Sequence, residues 1–283
     1  MARKQFLSFL LIFSLLFSCA SALAEADDDD DWDDNVDDAW EMEHPLHSGD
    51  YAYALLDDGT VEITSYGGAD TEIVIPDTLD GKPVTAIGER AFYYSLSLTS
   101  VTIPDSVTSI GNSAFSDCSS LATVTLPASI SEISDHLFFA CDVLSSVNIP
   151  DSVTRIGESA FASCDQLHTI DIPDSVTIID HGAFQLSGIT SVSIPNSVTT
   201  IGNGAFSYCD TLTDVTLPGS LTEIGYMTFA HSLSLTSITI PASVTFIDND
   251  AFKYHNSLTL TVTPDSYAEE YAKARKIDYT YPD

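Results

Sequence analysis

Positive charge is what this sequence has least of. Its 283 residues carry 9 Lys and Arg against 42 Asp and Glu, a formal net charge of −33. Such a chain repels phosphate backbones, which excludes nucleic acid as a partner and disfavours anionic membrane surfaces. Beyond the first two dozen residues no apolar stretch is long enough to cross a bilayer, so no transmembrane segment is expected in the mature chain. Signatures of chemistry are missing as well: there is no HExxH, no CxxC and no glycine-rich phosphate loop. Histidines 44, 47, 136, 168, 181, 231 and 255 read as scattered rather than as a ligand set. Ser113 and Ser159 follow Gly-x but lack the second glycine of a nucleophile elbow. His168 and Asp171 fall on one predicted strand with no nucleophile beside them, so they read as a solvated contact. The expectation is no catalytic residue, no metal and no cofactor.

What is present begins with an export signal. Arg3 and Lys4 precede an apolar run from Phe6 to Phe17 and a small-residue exit at Ser18–Ala24. Residues 1–24 are expected to be removed by cleavage after Ala24, with acylation at Cys19 as the competing outcome. Either outcome exports the protein, leaving it extracellular or tethered to the cell surface. Residues 25–47 form an acidic linker: twelve carboxylates lie between Glu25 and Glu43, and no Lys or Arg occurs from Glu25 until Lys82. No register of this tract supplies both the glycine and the glutamate of an EF-hand, so it reads as a self-repelling spacer.

The architecture comes from a period of twenty-three. Pro104, Pro127, Pro150, Pro173, Pro195, Pro218, Pro241 and Pro264 are spaced by 23 residues, with one step of 22. Phe92, Phe115, Phe138, Phe161, Phe184, Phe206, Phe229 and Phe252 keep the same step. Within one unit Val101 and Ile103 alternate with Ser100 and Thr102, the pattern of a strand with one apolar face. Proline ends that strand. Val107 and Ile110 then turn inward on an opposite wall, Gly111 permits a turn, and Ala114-Phe115 plugs the space between coils. One such coil cannot close a core, so stacking must bury its apolar faces. The pattern predicts a mainly β solenoid of about eight coils, with first repeat and N-terminal cap over 48–95, repeats over 96–257 and a C-terminal cap over 258–283.

Two further columns have structural readings. A serine recurs after the strand, at Ser106, Ser129, Ser152, Ser175, Ser197, Ser220, Ser243 and Ser266, where its hydroxyl can bond backbone at the bend. Cys118, Cys141, Cys164 and Cys209 sit three residues after the phenylalanine, where other coils put Ser187, Ser232 or His255. Interchange with serine favours small, buried, unpaired thiols over disulfides. At the ends, Tyr51–Gly68 reads as a β-hairpin turning at Asp58-Gly59, and Leu79-Asp80-Gly81-Lys82-Pro83 as an extra turn. Ser266 and Glu269 make a capping box for a helix with Tyr267, Tyr271 and Ala274 along one face, and an edge strand follows at Ile277–Tyr281. Caps of this kind at both ends predict a complete array.

The unit LxxVxIPxSVxxIGxxAFxxC resembles the BspA-like class of bacterial leucine-rich repeats, over about residues 51–283. The resemblance implies a curved right-handed superhelix with one strand per coil on its concave face. It further implies a secreted or surface-attached bacterial protein of the kind associated with adhesion to host matrix proteins or to other cells. The concave face would then present Thr102, Thr125, Asn148, Asp171, Thr216 and Thr239, a small polar surface with almost no aromatics. More varied chemistry falls on the second wall and the edge, at Arg155, Ile178, Phe246, Phe139, Tyr208, Tyr226 and Tyr254. The reading is a monomeric adhesin-type module for a protein or glycan. The alternative is an envelope spacer without a specific ligand, and an enzyme comes a distant third.

Overall fold

The computed structural model describes residues 45–255 and 257–282, so the export segment and nearly all of the acidic tract lie outside the described residues. The described residues belong to one compact unit, a mainly β solenoid with one short helix among them. One wall stacks the strands Glu72–Val74, Ser100–Thr102, Thr123–Thr125, Ser146–Val147, Ser191–Ser193, Asp214–Thr216, Ser237–Thr239, Thr259–Thr261 and Asp278–Thr280. All of their pairings are parallel, with Val101 opposite Val124 and Val192 opposite Val215. Thr169–Asp171 continues this wall without strand geometry, while Ile170 still points into the core. A second wall carries two-residue strands such as Glu132–Ile133, Arg155–Ile156 and Ile178–Ile179.

The array has ten turns, not eight, because the caps continue the ladder without the phenylalanine. Phe92 to Phe252 stack with ring centroids 4.8–6.0 Å apart and are all buried. Tyr66 extends the row at one end, 5.2 Å from Phe92, and Tyr271 closes it at the other, 6.4 Å from Phe252. Beyond Tyr66 the ring of Tyr51 follows at 5.2 Å, and Tyr271 is itself buried.

Between the walls runs a turn segment whose backbone hydrogen bonds alternate. The N–H groups of Ser113, Phe115 and Asp117 donate to Asp135, Leu137 and Phe139 of the following coil. Those of Ala114 and Ser116 donate back to Gly111 and Ser113 of their own coil. This alternation goes with left-handed backbone two residues before and two after each phenylalanine from Phe92 to Phe229, as at Ser113 (φ 57°) and Asp117 (φ 59°). Non-glycine residues such as Ser113 and Asp117 hold this conformation with their N–H groups bonded to the following coil.

The glycine at Gly111 has a different reason from the expected turn. Its φ is not in the left-handed region, and a Cβ there would lie 2.5 Å from the backbone nitrogen of Glu89 in the preceding coil. Close approach, not turn geometry, selects it. Gly188, in the 22-residue coil, is under the same constraint more severely: a Cβ would sit 1.9 Å from the Asp165 carbonyl oxygen. Half of the serine column bonds backbone between coils, at Ser129, Ser152, Ser175 and Ser220, with Ser152 Oγ donating to Ile130 O at 2.6 Å and Ser175 Oγ to Val153 O at 2.7 Å, whereas the buried hydroxyls of Ser106, Ser197 and Ser243 find no partner among the described residues.

The N-terminal cap is β1 (Leu46–Ser48), β2 (Tyr51–Leu55) and β3 (Val61–Tyr66), antiparallel and turning at Gly59 (φ 83°) as expected. Asp80 and Gly81 both have positive φ in the extra turn, and Asp80 accepts from Tyr53 Oη at 2.7 Å. At the other end α1 (Tyr267–Arg275) starts at Ser266, whose Oγ accepts from the Glu269 N–H. Its buried face is Ala268, Tyr271 and Ala272, whereas the expected Tyr267 and Ala274 are exposed. The i, i+3, i+4 stripe is rotated so that Tyr271 reaches Phe252.

Two outcomes follow. Phe161→Ala should lower unfolding free energy by about 3–5 kcal/mol in urea titration, since rigid coils cannot collapse into the void. The Glu269 carboxyl is held down at about 2, from 4.5, by Lys273 Nζ at 2.5 Å, Tyr281 Oη at 2.8 Å and the Asp265 N–H at 2.6 Å. A depressed carboxyl stabilises the fold above its unfolded value and loses that contribution as pH falls. Wild type should therefore melt above Glu269→Gln at pH 7, and the gap should close as pH falls from 4.5 to about 2.

Candidate binding surfaces

The first wall turns its outward side chains into two columns. Thr102, Thr125, Asn148, Asp171, Thr216 and Thr239 come together in one of them, with Thr102 opposite Thr125 and Ser193 opposite Thr216. Most are exposed, and none is aromatic or cationic. Hydroxyls just before the strands serve the fold: Thr190 Oγ1 donates to His168 O and Thr213 Oγ1 to Thr190 O, both at 3.1 Å. His168 faces the next coil, its Nδ1 lying 3.1 Å from the Gly188 carbonyl.

The second wall places Glu132, Arg155, Ile178 and Thr200 side by side, and farther along Glu223 beside Phe246. Phe246 is 47% exposed. Arg155 is already engaged: it reaches Glu132 at 3.2 Å, Asp135 at 2.6 Å and Asp180 at 2.9 Å, thereby joining three successive coils. Asp135 also accepts the Glu158 N–H at 2.9 Å, so the ion pairs and the backbone ladder support one another.

At the corner that follows the phenylalanine, the left-handed residues project a strip of rings. Tyr208 and His231 stack with centroids 4.3 Å apart at 11°, and His231 and Tyr254 at 4.0 Å and 29°. The three carry φ values of 59°, 62° and 70°. The Tyr208 N–H donates to Ala230 O and that of His231 to Lys253 O, which locks the rings in register. Lys253 Nζ lies 5.3 Å from the Tyr254 ring centroid. Reading the histidines as scattered missed His231, although its number lies 23 from both Tyr208 and Tyr254. Tyr226 is 49% exposed, and the Phe139 ring lies 5.9 Å from that of His136, tilted by 55°.

The cysteine column is buried and unpaired at Cys118, Cys141, Cys164 and Cys209. Each Sγ donates to the carbonyl of the phenylalanine one coil back: Phe92, Phe115, Phe138 and Phe184, at 3.1–3.2 Å. Ser232 Oγ does the same to Phe206 O at 2.7 Å, and His255 Nε2 lies 2.7 Å from Phe229 O. Thiol, hydroxyl and imidazole interchange here because each supplies one donor to one buried carbonyl. Burial pushes the Cys118 and Cys209 thiols up to about 12 and raises Cys141 and Cys164 as well. Among the described residues no group of three His, Cys, Asp or Glu is placed to hold a metal ion.

The family described as "BspA type Leucine rich repeat region" matches residues 85–209 and 177–271, with 6 copies. A leucine-rich repeat protein of T. pallidum is 27% identical over 84% of this chain and 98% of its own, with a TM-score of 0.50. One from Bacteroides ovatus is 28% identical over 76% of this chain and 55% of its own, with a TM-score of 0.56. A leucine rich cell surface protein of Faecalibacterium prausnitzii is 26% identical over 84% of this chain and 95% of its own, at a TM-score of 0.44. No curated protein matches the chain.

In the native protein at pH 8 these four thiols should resist iodoacetamide, because only the thiolate reacts, and should label fully once unfolded. Cys164→Ser keeps the donor and should leave stability nearly unchanged, whereas Cys164→Ala strands the Phe138 carbonyl at a cost of about 1–3 kcal/mol in urea unfolding.

Proposed function

The chain belongs to the BspA-type leucine-rich-repeat family, and from that premise we propose that it is an exported binding module that makes adhesin-type contact with a protein or a glycan. Export rests on the layout of residues 1–24, and no helix among the described residues is long and apolar enough to cross a membrane. The acidic tract then acts as a spacer that keeps the solenoid clear of the surface.

The observation that carries the reading is the Tyr208–His231–Tyr254 strip. Its rings are held by one another and by the backbone ladder, so little conformational entropy remains to be lost when a partner docks. Tyrosine is among the residues that dominate binding energy at interfaces. The Thr102–Thr239 wall has neither aromatic nor cationic anchors and supports avidity at best. Arg155 belongs to the scaffold under this reading, and Phe246 is a secondary contact.

Solid-phase binding to a panel of matrix proteins and glycans at physiological salt tests the proposal. Saturable binding should fall by about tenfold or more for Tyr208→Ala and Tyr254→Ala, as expected of hot-spot tyrosines, and should be unaffected by Thr125→Asn. Binding lost only in the Thr125 variant would move recognition to the first wall. Absence of saturable binding across the panel would favour the spacer.

A further inference from the structure

The rings of the aromatic strip are stacked on one another, and stacking decides what they can recognise. His231 lies between Tyr208 at 4.3 Å and Tyr254 at 4.0 Å, with angles of 11° and 29°. Both faces of the imidazole are therefore covered, and each phenol has one face against it. Lys253 Nζ sits over the Tyr254 ring at 5.3 Å, and Leu186, 37% exposed, holds the same position in the coil before Tyr208. The strip thus presents a row of ring edges and two phenolic hydroxyls, an aromatic edge being the positive side of its ring. A sugar packs its C–H groups flat against an aromatic face, and most of those faces are taken.

The surroundings add a sign of charge and an apolar contact. Asp210 and Leu233 occupy equivalent positions two residues beyond the strip in successive coils, and Leu233 is 51% exposed. From residue 156 to residue 252 there is no Lys or Arg, against ten Asp and Glu. The cations that bracket this stretch are already held, Arg155 by Asp180 at 2.9 Å and Lys253 by Asp250 at 3.1 Å. A surface of this sign draws a basic partner and repels acidic polysaccharides and acidic proteins alike.

We propose that the partner of this strip is a protein segment carrying Lys or Arg beside an apolar side chain, and not a glycan. Its backbone carbonyls accept from the Tyr208 and Tyr254 hydroxyls, its apolar side chain packs on Leu233, and its cations face the carboxylates of these coils. The proposal rests on the reading of the strip as the binding site and adds the chemistry of what binds there.

The test is selection of a random dodecapeptide phage library on immobilised residues 25–283, beside a panel of dextran, mannan, chitohexaose and hyaluronate. Counter-selection uses Tyr208→Ala combined with Tyr254→Ala. Ala140 already occupies the same coil position at φ 55°, so alanine suits the backbone there. The variant also keeps the charge, which removes peptides held by acidity alone. Peptides that need the strip should be recovered, enriched in Lys and Arg over the unselected library. Their binding should fall by about tenfold or more in the alanine variant. It should fall by about threefold to tenfold in Tyr208→Phe combined with Tyr254→Phe, which keeps the stack and removes the hydroxyls. Strip-dependent peptides without that enrichment, undiminished binding by the phenylalanine variant, or strip-dependent binding of a glycan would overturn this partner while leaving the strip as the binding site. Strip-dependent binding of neither class would overturn both readings.

Discussion

Each coil of this protein depends on its neighbours for hydrogen bonds that it cannot make alone. A turn segment that alternates between bonding itself and bonding the next coil leaves half its N–H groups waiting for a partner 22 residues on. From that requirement come the left-handed backbone at Ser113 and Asp117, the glycine at Gly111 and the donor column at Cys118. Side chains then fill the space that the backbone has fixed. The phenylalanine row and the two small-strand walls are the apolar answer to a core one coil thick.

The same requirement explains which parts of the fold were legible in the sequence. Phe115 and Pro104 repeat as residue types, so their columns stand out and the solenoid follows from them. The cap turns were not counted because Tyr66 and Tyr271 take the place of phenylalanine, and because Pro76 and Pro282, which follow the cap strands as Pro104 follows its own, fall off the 23-residue step. Gly111 was assigned to the wrong cause, since a sequence does not distinguish a glycine needed for its φ from one needed for its missing Cβ. The cysteine column was legible through its exchange with serine, although its acceptor, a phenylalanine carbonyl, has no side-chain signature.

Surface chemistry was harder to read, for a physical reason. Outward positions are constrained only by strand preference and solvent, so Thr125 and Thr239 say little beyond their geometry. Arg155 looked like an available cation and is instead ringed by Glu132, Asp135 and Asp180, residues whose proximity depends on register across three coils. His231 was hidden among dispersed histidines, yet it shares a corner with Tyr208 and Tyr254. In a solenoid, position modulo the repeat carries more information about contacts than separation along the chain.

Near-identical repeats bring a hazard of their own: a chain with translational symmetry can pair each coil with the wrong neighbour and lose little. Gly188 removes that degeneracy. Its coil is one residue short, and only glycine can lie against the Asp165 carbonyl at that point. Shifting the stack by one coil would bring a longer coil with a side chain against the same oxygen. The shortened turn therefore works as a keyed tooth in an otherwise uniform ratchet, fixing which coil stacks on which from within the middle of the array.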